Sequence, residues 1–223
     1  MLDLPLSVLI PAYNEEQHIG RNIGRLRAYL KKHFRTFEII ICENGSTDRT
    51  WQAACKLRSK TIRAIQTQKG IYHALNAGQA AARYAYAAYY PVDDAFSYDF
   101  LPQAALIAKK YDVIIGSKTH PESDVRRPPL RHLASNVFDI AVSLKYGLKP
   151  RGGGVMLWNV QKLRPSFSGV STDSAIYQVA ILSKATKAGL RIGELPVKVN
   201  DTRKGGYFSL KNVTRSLVHL VRE

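Results

Sequence analysis

Short apolar runs alternate along the chain with longer stretches of helical spacing. Leu6-Ser7-Val8-Leu9-Ile10 ends at Pro11, and beyond a brief polar loop Ile19, Ile23, Leu26 and Leu30 recur at intervals of three and four. That spacing lines one face of a helix. It predicts a helix over 14–32, with Asn14 and Gln17 as a capping box at its start. The unit then repeats. Residues 37–42 read as a buried strand, Glu43-Asn44-Gly45-Ser46 as a turn, and 47–59 as a helix capped by Ser46.

A third strand over 61–66 leads through Lys69-Gly70 into an alanine-rich helix over 72–86. A fourth apolar run, 87–92, stops at Asp93-Asp94. A helix over 98–110, a strand over 113–116 and an aperiodic, Pro- and Arg-rich loop over 117–130 follow. Next come a helix over 131–146, a turn at Gly152-Gly153-Gly154, a strand over 155–158, a helix over 173–188 and a strand over 192–199. Strands alternating with helices predict an α/β fold with a mostly parallel central sheet flanked by helices. In such sheets the loops leaving the carboxyl ends of the strands line the ligand crevice, so 13–15, 43–46 and Asp93-Asp94 should converge there.

Composition narrows the classes. With 33 Lys+Arg against 17 Asp+Glu the 223-residue chain carries a net charge of +16, and 45% of it is hydrophobic. An apolar fraction this large excludes disorder. The charge calls for an anionic partner: nucleic acid, an anionic membrane surface or a phosphate-bearing substrate. No recognisable nucleic-acid module accompanies it, so no nucleic acid is expected. Cys42 and Cys55 form neither a disulfide framework nor a metal cluster and read as core residues. No run approaches the roughly 18 apolar residues of a membrane span. Residues 1–207 read as one main domain. In 208–223 Phe208, Leu210, Val213, Leu217, Leu220 and Val221 share a helical face, which either caps the core or lies on anionic lipid. The last residue, Glu223, follows no helix terminator, so we expect the natural protein to continue into a membrane anchor.

Pro11-Ala12-Tyr13-Asn14-Glu15-Glu16, Glu43-Asn44-Gly45-Ser46-Thr47-Asp48 and Val92-Asp93-Asp94, each at a strand end and in this order, resemble family 2 glycosyltransferases of the GT-A fold. Ile114 to Lys118 and Glu194-Leu195-Pro196-Val197 extend the likeness over nearly the whole chain. Arg203-Lys204-Gly205-Gly206 is similar to the closing segment of the dolichyl-phosphate mannose synthase branch. The Gln-x-x-Arg-Trp signature of processive synthases is absent, so single-sugar transfer is expected.

The resemblance implies an inverting transferase that uses Mn2+ or Mg2+ to move one sugar to a polyprenyl phosphate or lipid-linked glycan at the cytosolic membrane face. GDP-mannose is the donor of the nearest branch, and UDP-sugars stand as the alternative. It implies donor contacts from Pro11, Ala12, Tyr13, Glu15, Glu43, Asn44, Lys69 and Asp93, and phosphate or acceptor contacts from Lys118, Arg131, Arg203 and Lys204. Arg203 and Lys204 form the cationic lid. Asp173 positions the acceptor or serves as its base, unless it only caps a helix. The usual Asp-x-Asp is here Asp93-Asp94-Ala95; Asp94 is assigned to the metal, with Asp93 near the ribose or in the metal shell. Asn44 and this departure also fit a catalytically degenerate nucleotide-sugar-binding protein. A sugar-nucleotide pyrophosphorylase would carry a glycine-rich basic loop after its first strand, whereas 11–16 is acidic and lacks glycine.

Overall fold

The computed structural model describes residues 1–126, 154–170 and 176–200. Its strands are β1 (Leu6–Ala12), β2 (Phe37–Glu43), β3 (Ile62–Gln66), β4 (Tyr86–Tyr89), β5 (Val113–Ser117), β6 (Asp124–Arg126), β7 (Met156–Asn159), β8 (Ile192–Pro196) and β9 (Lys198–Asn200). The helices are α1 (Ile19–His33), α2 (Thr50–Lys56), α3 (Ile71–Ala81), α4 (Phe100–Ile107), α5 (Val160–Phe167) and α6 (Ile176–Lys187). Seven strands form one sheet in the order β3-β2-β1-β4-β7-β5-β8, and β6 pairs with β9 in a separate parallel ribbon. The sheet is parallel except for β7, which runs antiparallel to both β4 and β5.

Residues adjacent along a strand feed opposite faces of the sheet. Val8, Ile10, Ile39 and Ile41 join α1 and α4 in one apolar layer. Leu9, Ile40, Cys42, Met156 and Trp158 join α3, α5 and α6 in the other. The second layer is tight: a Cβ on Gly78 of α3 would lie 2.8 Å from Cys42 Sγ. Burial pushes the Cys42 thiol up to about 12, as befits a core residue.

The α/β sheet agrees with expectation, and several boundaries do not. Helix α1 begins at Ile19 because Asn14 has a left-handed backbone, φ 54°, and no side chain caps the helix start. The Glu15 carbonyl instead accepts the N–H groups of His18 and Ile19. Ser46 does not cap α2, which begins at Thr50, since its hydroxyl accepts from the Asn14 N–H. Helix α3 stops at Ala81, short of 86, because buried side chains capture the chain: Arg83 N–H donates to Glu38 and Tyr84 N–H to Ser7. The expected loop over 117–130 contains β6, and α5 after β7 was not anticipated. The expected strand over 192–199 divides at Val197, whose N–H leaves the sheet to donate to Ser123 Oγ. The expected helix over 131–146 and the segment 208–223 lie outside the described residues.

Candidate active site

Strand order reverses around β1: β2 and β3 lie on one side and β4 on the other. A crevice opens at such a point beyond the carboxyl ends of the strands. Pro11 and Ala12 end β1 opposite Cys42 and Glu43, and the Asn44 N–H donates to the Ala12 carbonyl. Glu43 is buried, and its carboxylate accepts from Ser46 N–H and, at 3.4 Å, from Gln66 Nε2. Asn44 is 6% exposed, and its Oδ1 is buried without a hydrogen-bond partner. A buried acceptor of that kind is costly unless a ligand donor reaches it.

Gly45, φ 84°, lets the turn pass beside Lys69; a Cβ there would sit 3.1 Å from Lys69 Cβ. The Lys69 ammonium lies 5.2 Å from the ring centroid of Tyr13, which is 40% exposed. Four of the expected donor contacts therefore gather at one rim: an exposed aromatic face, a cation, a carboxylate and an amide. Such a set suits a base to stack, a phosphate to neutralise and hydroxyls to accept from.

The two motif loops also hold each other. Asn14 N–H donates to Ser46 Oγ, and Thr47 N–H donates to Asn14 Oδ1 at 2.8 Å. Glu15 N–H donates to Thr50 Oγ1 at 2.7 Å, Glu16 N–H to Asp48, and Arg49 N–H to Glu16. Burial raises the Asp48 carboxyl, yet the hydrogen bonds it accepts from Thr50 and Glu16 outweigh this and hold it below its usual range. Asn14, Glu16, Ser46, Thr47 and Asp48 thus brace the rim.

Beyond β4 the acidic turn is pinned from several sides. Tyr90 donates to the Phe96 carbonyl. Asn22 of α1 donates to the Val92 carbonyl at 2.9 Å. Arg25, one turn on, pairs with Asp94 at 2.6 Å, and the Tyr98 hydroxyl bonds to the same carboxylate. Burial, followed by this bond, raises the Tyr98 phenol well above its usual range. Asp93 Oδ1 accepts from Ala95 N–H. On the far side Asn200 N–H donates to the Ala95 carbonyl, and Phe96 bridges to Val199. Lys118 lies 5.2 Å from the Phe96 ring centroid, beside this turn. A Cβ on Gly154 would overlap that ring, 2.1 Å from its nearest atom.

Arg131, Asp173, Arg203 and Lys204 lie outside the described residues. Sequence reasoning missed Asn22, Arg25 and Tyr98. One signal was available: Asn22 interrupts the apolar stripe formed by Ile19, Ile23 and Leu26, and a polar group on a buried stripe needs a partner. Among the described residues no group of three or more His, Cys, Asp or Glu side chains could hold a metal ion by itself.

Residues 7–175 match the family described as Glycosyl transferase family 2. The chain belongs to this family. Its relatives include glycosyltransferase AglD of Haloferax volcanii, 25% identical over 86% of this chain and 32% of AglD. They also include a dolichyl-phosphate beta-glucosyltransferase of Saccharomyces cerevisiae, 27% identical over 86% of this chain and 66% of the yeast protein. The chain thus spans about a third of AglD and just under two thirds of the yeast protein. Among solved structures, glucosyl-3-phosphoglycerate synthase of Mycobacterium tuberculosis, captured with Mn2+, UDP and glucosyl-3-phosphoglycerate, superposes with a TM-score of 0.68. It is 19% identical and covers 98% of this chain and 78% of its own, and the sheet described here is the GT-A fold.

Proposed function

We propose that this chain is the catalytic domain of an inverting, metal-dependent transferase that moves one glucose from UDP-glucose to a polyprenyl phosphate at a membrane surface. The observation that carries the reading is the rim where Tyr13, Glu43, Asn44 and Lys69 meet at the carboxyl ends of β1 to β3, in a chain of family 2. Glucose replaces the mannose expected from sequence because the dolichyl-phosphate relatives of yeast, Drosophila melanogaster and Dictyostelium discoideum are named beta-glucosyltransferases. UDP replaces GDP because a relative from Escherichia coli, 32% identical over 40% of this chain, is named for UDP-Glc as its donor.

In this reading Tyr13 stacks on the uracil and the Asn44 amide takes a donor of the nucleoside. Lys69 and Lys118 balance the diphosphate. A divalent cation fits the residues present: Asp93 offers a hard carboxylate oxygen, and Mg2+ or Mn2+ commonly needs only one or two carboxylates plus substrate phosphates. When bound, it neutralises the charge that grows on the leaving diphosphate. Arg131, Arg203 and Lys204 hold acceptor or diphosphate charge. A phosphate acceptor is already anionic, so Asp173 needs only to orient it; with a hydroxyl acceptor Asp173 takes the proton. The excess of cations suits an anionic membrane, and no helix among the described residues is long and apolar enough to cross one.

Incubation with radiolabelled UDP-glucose or GDP-mannose, Mn2+ and vesicles containing polyprenyl phosphate tests the reading. Label should enter the lipid fraction from UDP-glucose, and Asp93→Asn should lower the rate by roughly a hundredfold or more. Transfer from GDP-mannose alone would restore the mannosyl assignment, and binding of UDP without transfer to any acceptor would point to a degenerate protein.

A further inference from the structure

The two adjacent acids of the turn stand in different surroundings. Asp94 has φ 58°, a left-handed conformation that few residues with a Cβ adopt, Asp and Asn being the usual exceptions. Its side chain is 14% exposed, against 64% for Arg25, so the pair sits at the edge of α1 with the carboxylate turned inward. Arg25 and the Tyr98 hydroxyl both take that carboxylate. It also lines a cleft of about 360 Å³ whose other walls include Tyr29, Arg126, Lys198 and Asn200, groups of α1 and of the β6–β9 ribbon. Asp93 accepts from Ala95 N–H inside the turn.

We infer that Asp94 is a positioning residue: its ion pair with Arg25 clamps the acidic turn to α1 and so presents Asp93 as the only metal-directed carboxylate of the pair. The inference rests on the transferase reading for the metal and on the geometry alone for the clamp. A cation at Asp94 would have to displace a guanidinium already within 2.6 Å. Asn22 adds a second tether from the same helix through the Val92 carbonyl, one residue before Asp93. Helix α1 thus sets the height of the turn at two points three residues apart, Asn22 and Arg25. Groups that orient a ligand in this way usually change metal affinity by about 10- to 100-fold when removed.

Two readouts separate clamp from ligand. Hydrogen exchange of the free protein follows the turn without nucleotide or metal. Arg25→Gln and Asp94→Asn should each speed exchange at the Ala95 amide by about tenfold or more, the double variant no further than either single one. Arg25→Lys and Tyr98→Phe should act more weakly, and they serve if the stronger variants unfold. Calorimetric titration of UDP at stepped Mn2+ concentrations follows the site. Arg25→Gln and Asp94→Asn should weaken the Mn2+-dependent component equally, by roughly 10- to 100-fold. Asp93→Asn should abolish it. Loss of Mn2+ dependence in Asp94→Asn with a wild-type response in Arg25→Gln would make Asp94 a ligand and overturn the inference. So would unchanged exchange at Ala95 in both variants. A wild-type protein whose UDP binding ignores Mn2+ would sink the metal-dependent transferase reading, and the exchange data alone would then decide the clamp.

Discussion

At the scale of single residues, one buried carboxylate gathers several hydrogen-bond donors. Asp112, just before β5, accepts from Lys162 of α5 at 2.6 Å and from the backbone and guanidinium of Arg191, tying three elements at one point. The Arg191 bonds, outweighing burial, hold its carboxyl well below the usual carboxylate range. A carboxyl depressed on folding stabilises fully above its unfolded pKa of about 4 and loses that contribution as pH falls toward the folded value. The stability gap between wild type and Asp112→Asn should therefore be constant near neutrality and shrink below about pH 4, as followed by urea unfolding at stepped pH. A gap that persists to low pH would mean that the carboxylate charge is irrelevant. Lys162 and Arg191 are half exposed, so solvent screening keeps the gap small.

Among elements, the bracing of the loop after β1 by the loop after β2 explains why the polar residues of both motifs occur together. Asn14 carries two tasks, a left-handed backbone and an acceptor for Thr47. Glycine tolerates the first but cannot perform the second. Asn14→Ala should destabilise by roughly 1 to 3 kcal/mol and Asn14→Gly by less, measured by denaturant midpoint at constant slope. Equal losses would assign the whole effect to the hydrogen bond. On the other side of the crevice, Gly154 and Lys118 meet at Phe96, and Asn200 reaches the preceding carbonyl. Strand β9 and helix α1 therefore both hold the acidic turn.

For the whole molecule, the carboxyl ends of β1 to β4 carry four loops that are distant in sequence, so a nucleotide bridging them should stabilise the entire fold. UDP at a hundred times its dissociation constant should add roughly 2.7 kcal/mol. The thermal midpoint should rise with UDP plus Mn2+, less with UDP alone, and hardly with Mn2+ alone, because no protein cluster among the described residues holds the metal unaided. A large shift with Mn2+ alone would place the metal on protein ligands instead. Guanine nucleotides should shift the midpoint less than uracil nucleotides; an equal or larger shift with GDP would overturn the UDP assignment.

Much of this was legible in the chain. Apolar runs broken by polar loops specify the alternation of strands and helices, because burial on two sheet faces demands it. Motif residues at strand ends mark the crevice, because parallel sheets gather those ends together. The sequence also located Tyr13, Glu43, Asn44 and Lys69, and these do meet. It misled at Asn14 and Ser46, where local cap chemistry lost to hydrogen bonds between loops more than thirty residues apart. It misled again over 82–86, where Glu38 and Ser7 draw backbone donors out of a helix that alanine propensity would continue. The sequence assigned Asp94 to the metal from the resemblance alone; that Arg25 holds Asp94 while Asn22 tethers the carbonyl before Asp93 was decided only by the packing of α1 against the turn, because two adjacent and chemically identical acids carry no sign of it.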